Sequence, residues 1–222
     1  EKSGTSLRGR TLSVSSPEPA LILKTTPSGE SFLTVHALSA NRGLFLCLKR
    51  VSSGKSKNSS VKPDLFDTAD LQLEPAKSGN STLFVKDYRL HHSRANIGRS
   101  YSSLLHASNY AALLVRNATH LPDPGALFDL AERTCDAFES GKTPQIVFLK
   151  GLYLLLQTEG FPLREDWLQS LPAKARGHAC TLIQNPVEEA PSAQCLETCE
   201  SITEDLCRWL QRETDVILPW KT

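Results

Sequence analysis

The sequence predicts an α+β protein, a small N-terminal β-barrel followed by an all-helical module. Three observations lead there. Five short β-prone runs separated by turn residues crowd into residues 18–90. The apolar spacing then switches to helical periodicity near residue 100. The charge divides at the same place: residues 1–100 carry 15 Lys and Arg against 8 Asp and Glu, and residues 101–222 carry 10 against 16. A basic half joined to an acidic half suggests two modules with different partners.

Residues 1–16 are Ser-rich and basic with no apolar period, a flexible tail in this reading. Ala20 to Thr26 is the first strand, and Pro27-Ser28-Gly29-Glu30 a turn. Ser31 to Leu38 and Leu44 to Val51 form the next two strands, hinged at Ser39 to Gly43. A polar loop, Ser52 to Ser60, leads to a fourth strand over Phe66 to Leu73. Lys77 to Asn80 turns into a fifth over Thr82 to Leu90. Five strands with tight turns favour a closed barrel, which leaves no sticky edge.

Ser100 to Asn117 spaces Leu104, Ala107, Tyr110, Ala111 and Leu114 as one helix face. Ala126 to Phe138 is a second helix, ended by Gly141. Thr143-Pro144 opens a third that runs to Thr158 and is apolar nearly all round, so it belongs at the centre of a bundle. Gly160 to Ala193 reads as loop, and Ile202 to Thr214 as a last helix with Thr203 as N-cap. The domains are then 1–16 (tail), 17–92 (barrel) and 93–222 (helical).

Composition excludes several classes. Hydrophobic residues make up 40% and charged residues 22%, enough apolar material for a core. No apolar run approaches the roughly 18 residues of a membrane helix. The N-terminus lacks the apolar stretch of a secretory signal. Six cysteines are too sparse for a disulfide scaffold, so a reducing compartment is expected.

No phosphate-binding Gly loop, nucleophile elbow or zinc-protease helix occurs, so no enzyme is expected. Asp64, Asp67 and Asp70 sit on and before a strand whose pleat keeps Asp67 and Asp70 apart, which argues against a metal. His91-His92 reads as a solvated linker. His178, Cys180, Cys195 and Cys199 offer four zinc-type donors, but H-x-C and C-x3-C are not the usual knuckles, so no metal is expected there. The informative pattern lies in the barrel. Lys24, Arg42, Lys49, Arg50, Lys55, Lys57 and Lys62 are opposed only by Glu18 and Glu30, with Phe32 and Phe45 among them. Cations interleaved with rings suit a single-strand-binding groove.

The stretch Glu18 to Arg50, "EPALILKTTPSGESFLTVHALSANRGLFLCLKR", resembles the opening of the bacterial RecO family of DNA repair and recombination mediators. The likeness rests on Ala20 to Leu23, Gly29-Glu30-Ser31, Gly43 and Lys49-Arg50. Leu65-Phe66, Phe84 to Leu90, Tyr110 to Val115, Leu127-Phe128 and Leu152 to Pro162 follow in the family's order. It covers about 18–165. It implies an OB-fold barrel before the helices and binding of single- and double-stranded DNA; no cofactor is expected. It also implies strand annealing, recombinase loading with RecR-like and single-stranded DNA-binding proteins, and a cytoplasmic, nucleoid-associated location. The chain departs from the family in two places. Val51 follows Arg50 where a basic-Gly pair is common, and Phe161 to Asp166 lacks the four-cysteine zinc site of many members. The alternative is a protein–protein adaptor whose barrel no longer binds DNA.

Overall fold

A computed structural model describes residues 16–51, 62–76, 81–118, 123–187 and 190–220. The expected basic tail (all but Ser16), the polar loop expected at 52–60 and the turn at 77–80 lie outside the described residues. Five strands form a closed barrel: β1 (Glu18–Ser28), β2 (Phe32–Ser39), β3 (Gly43–Arg50), β4 (Thr68–Pro75) and β5 (Leu83–His92). Their order around the barrel is β1-β2-β3-β5-β4, with β4 closing onto β1. Only the β3–β5 pair is parallel. This is the expected α+β architecture, an OB-like barrel followed by helices.

The fourth strand begins two residues later than the sequence suggests. Phe66 adopts φ +67°, the left-handed region, and cannot extend a strand. Three hydrogen bonds hold that conformation. Phe66 N donates to Ile22 O at 2.8 Å, Ile22 N to Asp67 O at 2.8 Å, and Arg94 Nη1 to Phe66 O at 2.7 Å. His91 and His92 are the last residues of β5 rather than a linker, and both meet carboxylates: His91 faces Asp70 and His92 faces Glu139, each at 2.8 Å.

Strand pleating creates two cores. Ala20, Ile22, Val35, Ala37, Cys47, Leu71 and Val85 fill the barrel. Leu21, Leu23, Leu38 and Phe66 instead join the core of the helical module. One barrel wall is therefore buried on both faces, which is why Ala20-Leu21-Ile22-Leu23 reads as a continuous apolar run.

The helices are α1 (Tyr101–Asn117), α2 (Pro124–Glu139), α3 (Pro144–Thr158), the short α4 (Leu168–Ser170), α5 (Ala173–Gln184) and α6 (Ala193–Glu213). Ser100 caps α1 by accepting from Ser103 N, and Asp123 caps α2 by accepting from Ala126 N. α3 is the central helix, with Ile146, Leu149, Leu152 and Leu156 buried. Gly151 lets α3 approach α2: a Cβ there would stand 2.8 Å from Thr134 Cγ2.

Two expectations fail beyond α3. The segment expected to be a loop carries a π-helical turn (Leu163–Trp167), α4 and α5. Trp167 is buried and supplies much of the reason, since it anchors this segment against Tyr153 of α3. α6 also starts nine residues before Ile202. Ser192 is its cap, accepting from Cys195 N, while Thr203 lies inside the helix and its hydroxyl donates to Cys199 O at 2.8 Å.

A buried arginine fastens the two modules. Arg94, just past β5, is 2% exposed. Its Nε donates to Asp136 Oδ1 at 2.7 Å, and Nη1 to Phe66 O at 2.7 Å and to Thr68 Oγ1 at 2.8 Å. Nη2 reaches Glu132 Oε1 at 3.4 Å, and Thr68 Oγ1 donates to the same oxygen at 2.5 Å. Burial disfavours the guanidinium charge, but the Asp136 hydrogen bond and surrounding carboxylates more than offset it, and its pKa rises. β4 and α2 thus share one charged hub.

Candidate nucleic-acid interface

Cross-strand register sorts the barrel side chains by face, because directly paired residues point the same way. Ile22 pairs with Ala37, and Val35 with Cys47, all inward. A bulge between Ile22 and Lys24 shifts the alternation. After it, Lys24, His36 and Leu46 form one outward row across β1, β2 and β3. Thr26, Thr34 and Leu48 form the next, and Ser28, Phe32 and Arg50 the last. Phe84 of β5 lies beside Leu48 and meets Phe32 edge-on, with ring centroids 5.9 Å apart. No helix among the described residues covers the end of this face that bears Lys24, Leu46 and Arg50; Lys24 and Arg50 are exposed, and Leu46 is 48% exposed.

The seven expected DNA-binding cations have different fates. Lys24, Arg50 and Lys62 are exposed and make no ion pair among the described residues. Arg42, in the β2–β3 turn, is held by Glu18: Nε stands 3.4 Å from Oε2, while Asn41 Nδ2 donates to Oε1 at 3.3 Å. Eight residues of β3 separate Arg42 from Arg50's end of the barrel, about 25 Å. Lys49 is 7% exposed and pairs with Leu33 and Val85 on the inward face, so it sits in the barrel mouth rather than on the outer surface. Lys55 and Lys57 lie outside the described residues. Of the two rings, Phe32 points outward and Phe45 packs on the barrel core.

Sequence reasoning missed His36, Thr34 and Phe84. The first two share Phe32's period-2 face along β2, so alternation alone carries that signal. Phe84 needs the parallel β3–β5 pairing, which no local pattern announces. His36 has a buried Nδ1 with no hydrogen-bond partner, and burial, then the Lys24 charge, lower its pKa. Lys24 and the unpaired imidazole of His36 thus stand side by side on adjacent strands.

The other candidate sites do not assemble. Asp67 is buried in the barrel, accepting from Tyr88 Oη at 2.7 Å and Asp64 N at 3.1 Å, while Asp70 faces His91. His178, Cys180, Cys195 and Cys199 do not bring three donor atoms together. The Cys199 thiol is pushed up to about 12 by burial, as are those of Cys47 and Cys135. No helix among the described residues is long and apolar enough to cross a membrane. No model of a known protein family matches the chain, and no curated protein sequence matches it.

Proposed function

We propose that this protein is a RecO-like recombinational repair mediator that binds single-stranded DNA and promotes annealing, without covalent chemistry. The carrying observation is the open outer face of an OB-like barrel, on which Lys24, Arg50, Phe32 and His36 stand on adjacent strands. Strands 2 and 3 are where such barrels present a ligand surface. Cations there neutralise phosphates and release counterions, and screened strands can approach and pair. The rings accept bases without sequence preference.

The same proposal assigns a protein partner to the helical module. A groove of about 190 Å³ between α2 and α3 is lined by Leu130, Val147 and Leu154, with Arg133 and Lys150 at its polar side. Burial, then the neighbouring Lys142 charge, lower the Lys150 pKa. An apolar segment flanked by acidic residues suits that lining.

Titrating a fluorescent, unstructured oligonucleotide at several salt concentrations tests the DNA reading. Engaging about 4–6 phosphates gives a log–log slope near −3 to −4. Lys24→Glu with Arg50→Glu removes about two contacts and makes the slope shallower by about 1.4. A flat salt response sinks the proposal. It would favour the adaptor reading, for which the exposed Leu46 on the same face is the supporting feature.

A further inference from the structure

The seam between barrel and helices holds a cluster that DNA binding does not use. His92 ends β5 and pairs in register with Thr68 of β4, which turns it towards α2. There it meets Asp136 and Glu139, which are three residues apart and share one helix face. His92 Nε2 stands 2.8 Å from Glu139 Oε2, and Nδ1 stands 3.8 Å from Asp136 Oδ1. One donor atom from each residue lies within 4.8 Å of the others. The three come from two elements and mix imidazole with carboxylate, a donor set different from a plain acidic patch.

Charge and support point the same way. α2 presents three carboxylates here, Glu132, Asp136 and Glu139, and among the described residues Arg94 is the guanidinium that pairs with Glu132 and Asp136. Glu139 has no guanidinium partner among the described residues and meets only His92. Arg94 also fixes Asp136 through its Nε at 2.7 Å, the kind of outer hydrogen bond that orients a ligating carboxylate. His92 and Asp136 are about half exposed, so an ion has an entry path and room for water ligands.

We propose that His92, Asp136 and Glu139 bind a divalent cation of the zinc class. Imidazole with carboxylates suits this ion better than magnesium or calcium, which take oxygen ligands. Donor atoms on a tetrahedral shell of about 2.1 Å radius are about 3.4 Å apart, so shifts of roughly an ångström complete the set. The ion ties the end of β5 to α2 beside Arg94. It stiffens the junction between the modules.

Cobalt(II), a spectroscopic stand-in for zinc, tests this on the reduced full chain. At about 100 times the Kd, binding to the folded state alone raises Tm by about 5–10 °C. The spectrum should show nitrogen and oxygen ligation, without thiolate-to-cobalt charge transfer. Glu139→Gln and His92→Asn each lose the Tm rise while melting near the wild type in the absence of metal. Three results overturn the proposal: no rise up to millimolar cobalt, a rise that survives both substitutions, or a thiolate band. The last would place the metal on the partly exposed Cys180 and Cys195.

Discussion

The two halves of β1 make opposite demands on sequence. From Ala20 to Leu23 every side chain is buried: Ala20 and Ile22 inside the barrel, Leu21 and Leu23 against the helices. From Lys24 to Ser28 the outward side is open to solvent. The bulge after Ile22 marks the change. A single strand thus holds the modules together at one end and presents charge at the other. Stability and the proposed binding function occupy different ends of the same barrel. Substitutions in the first half should cost folding and leave DNA contacts alone. Those in the second half should do the reverse.

The largest effect is expected from Leu21→Ala. Leu21 is fully buried between barrel and helices, and truncation leaves a cavity that neither module can readily collapse. The cost should be about 2–5 kcal/mol, a Tm fall of about 10 °C. Calorimetry would show it, and a fall under about 2 °C would mean the seam is looser than described.

Arg94→Ala follows, at about 3 kcal/mol. It leaves the Phe66 carbonyl and Thr68 hydroxyl without their buried donor. The partly exposed Asp136 can recover water, which keeps the cost at the low end for a broken buried pair. Arg94→Lys should restore only part, because one ammonium cannot reproduce a planar fork serving four acceptors.

At the open end the contrast reverses. Lys24→Glu with Arg50→Glu should move Tm by no more than surface changes usually do, within about 0.5 kcal/mol each. Lys49→Glu should instead destabilise the barrel, since it turns a buried side chain next to Leu33 and Val85 into a carboxylate. Urea midpoints separate these cases. Equal effects at positions 49 and 50 would contradict the inward placement of Lys49.

This contrast also explains what was legible in the sequence. β1, β2 and β3 were readable because alternation and turn residues are local signals. The faces were not. Lys49 and Arg50 are neighbours in a basic run, yet strand pleating sends one inward and one outward. The Ile22–Lys24 bulge resets which residues of β1 face solvent. Arg42 looked like its neighbours, but its ion pair with Glu18 needs β1 to lie beside the β2–β3 turn. α5 is weakly amphipathic and contains Gly177, so its pattern alone resembles a loop; it exists because it packs on α6 and α3. The cluster at His92 was invisible for the same reason as Phe84: its members meet only through tertiary register.

The smallest expected effect is also the most discriminating, because it ties stability to charge on the open face. Burial, then the Lys24 charge, lower the His36 pKa from the ordinary 6.5. The unfolded chain therefore binds more protons than the folded one as pH falls through 6.5. The stability associated with neutral His36 is fully present above that pH and is lost as pH drops towards the folded-state value. His36→Asn should flatten the dependence of the urea midpoint between about pH 7 and 5. Lys24→Gln should flatten it partly by removing one of the two causes, and Arg50→Gln, two rows away, should not. A polyanion on this face acts in the opposite sense to Lys24, favouring the imidazolium. DNA binding should then take up a proton and tighten as pH falls towards 5, an effect absent in His36→Asn. Titrations in two buffers of different ionisation enthalpy measure that uptake directly. Proton uptake equal in wild type and His36→Asn would place the DNA elsewhere on the barrel.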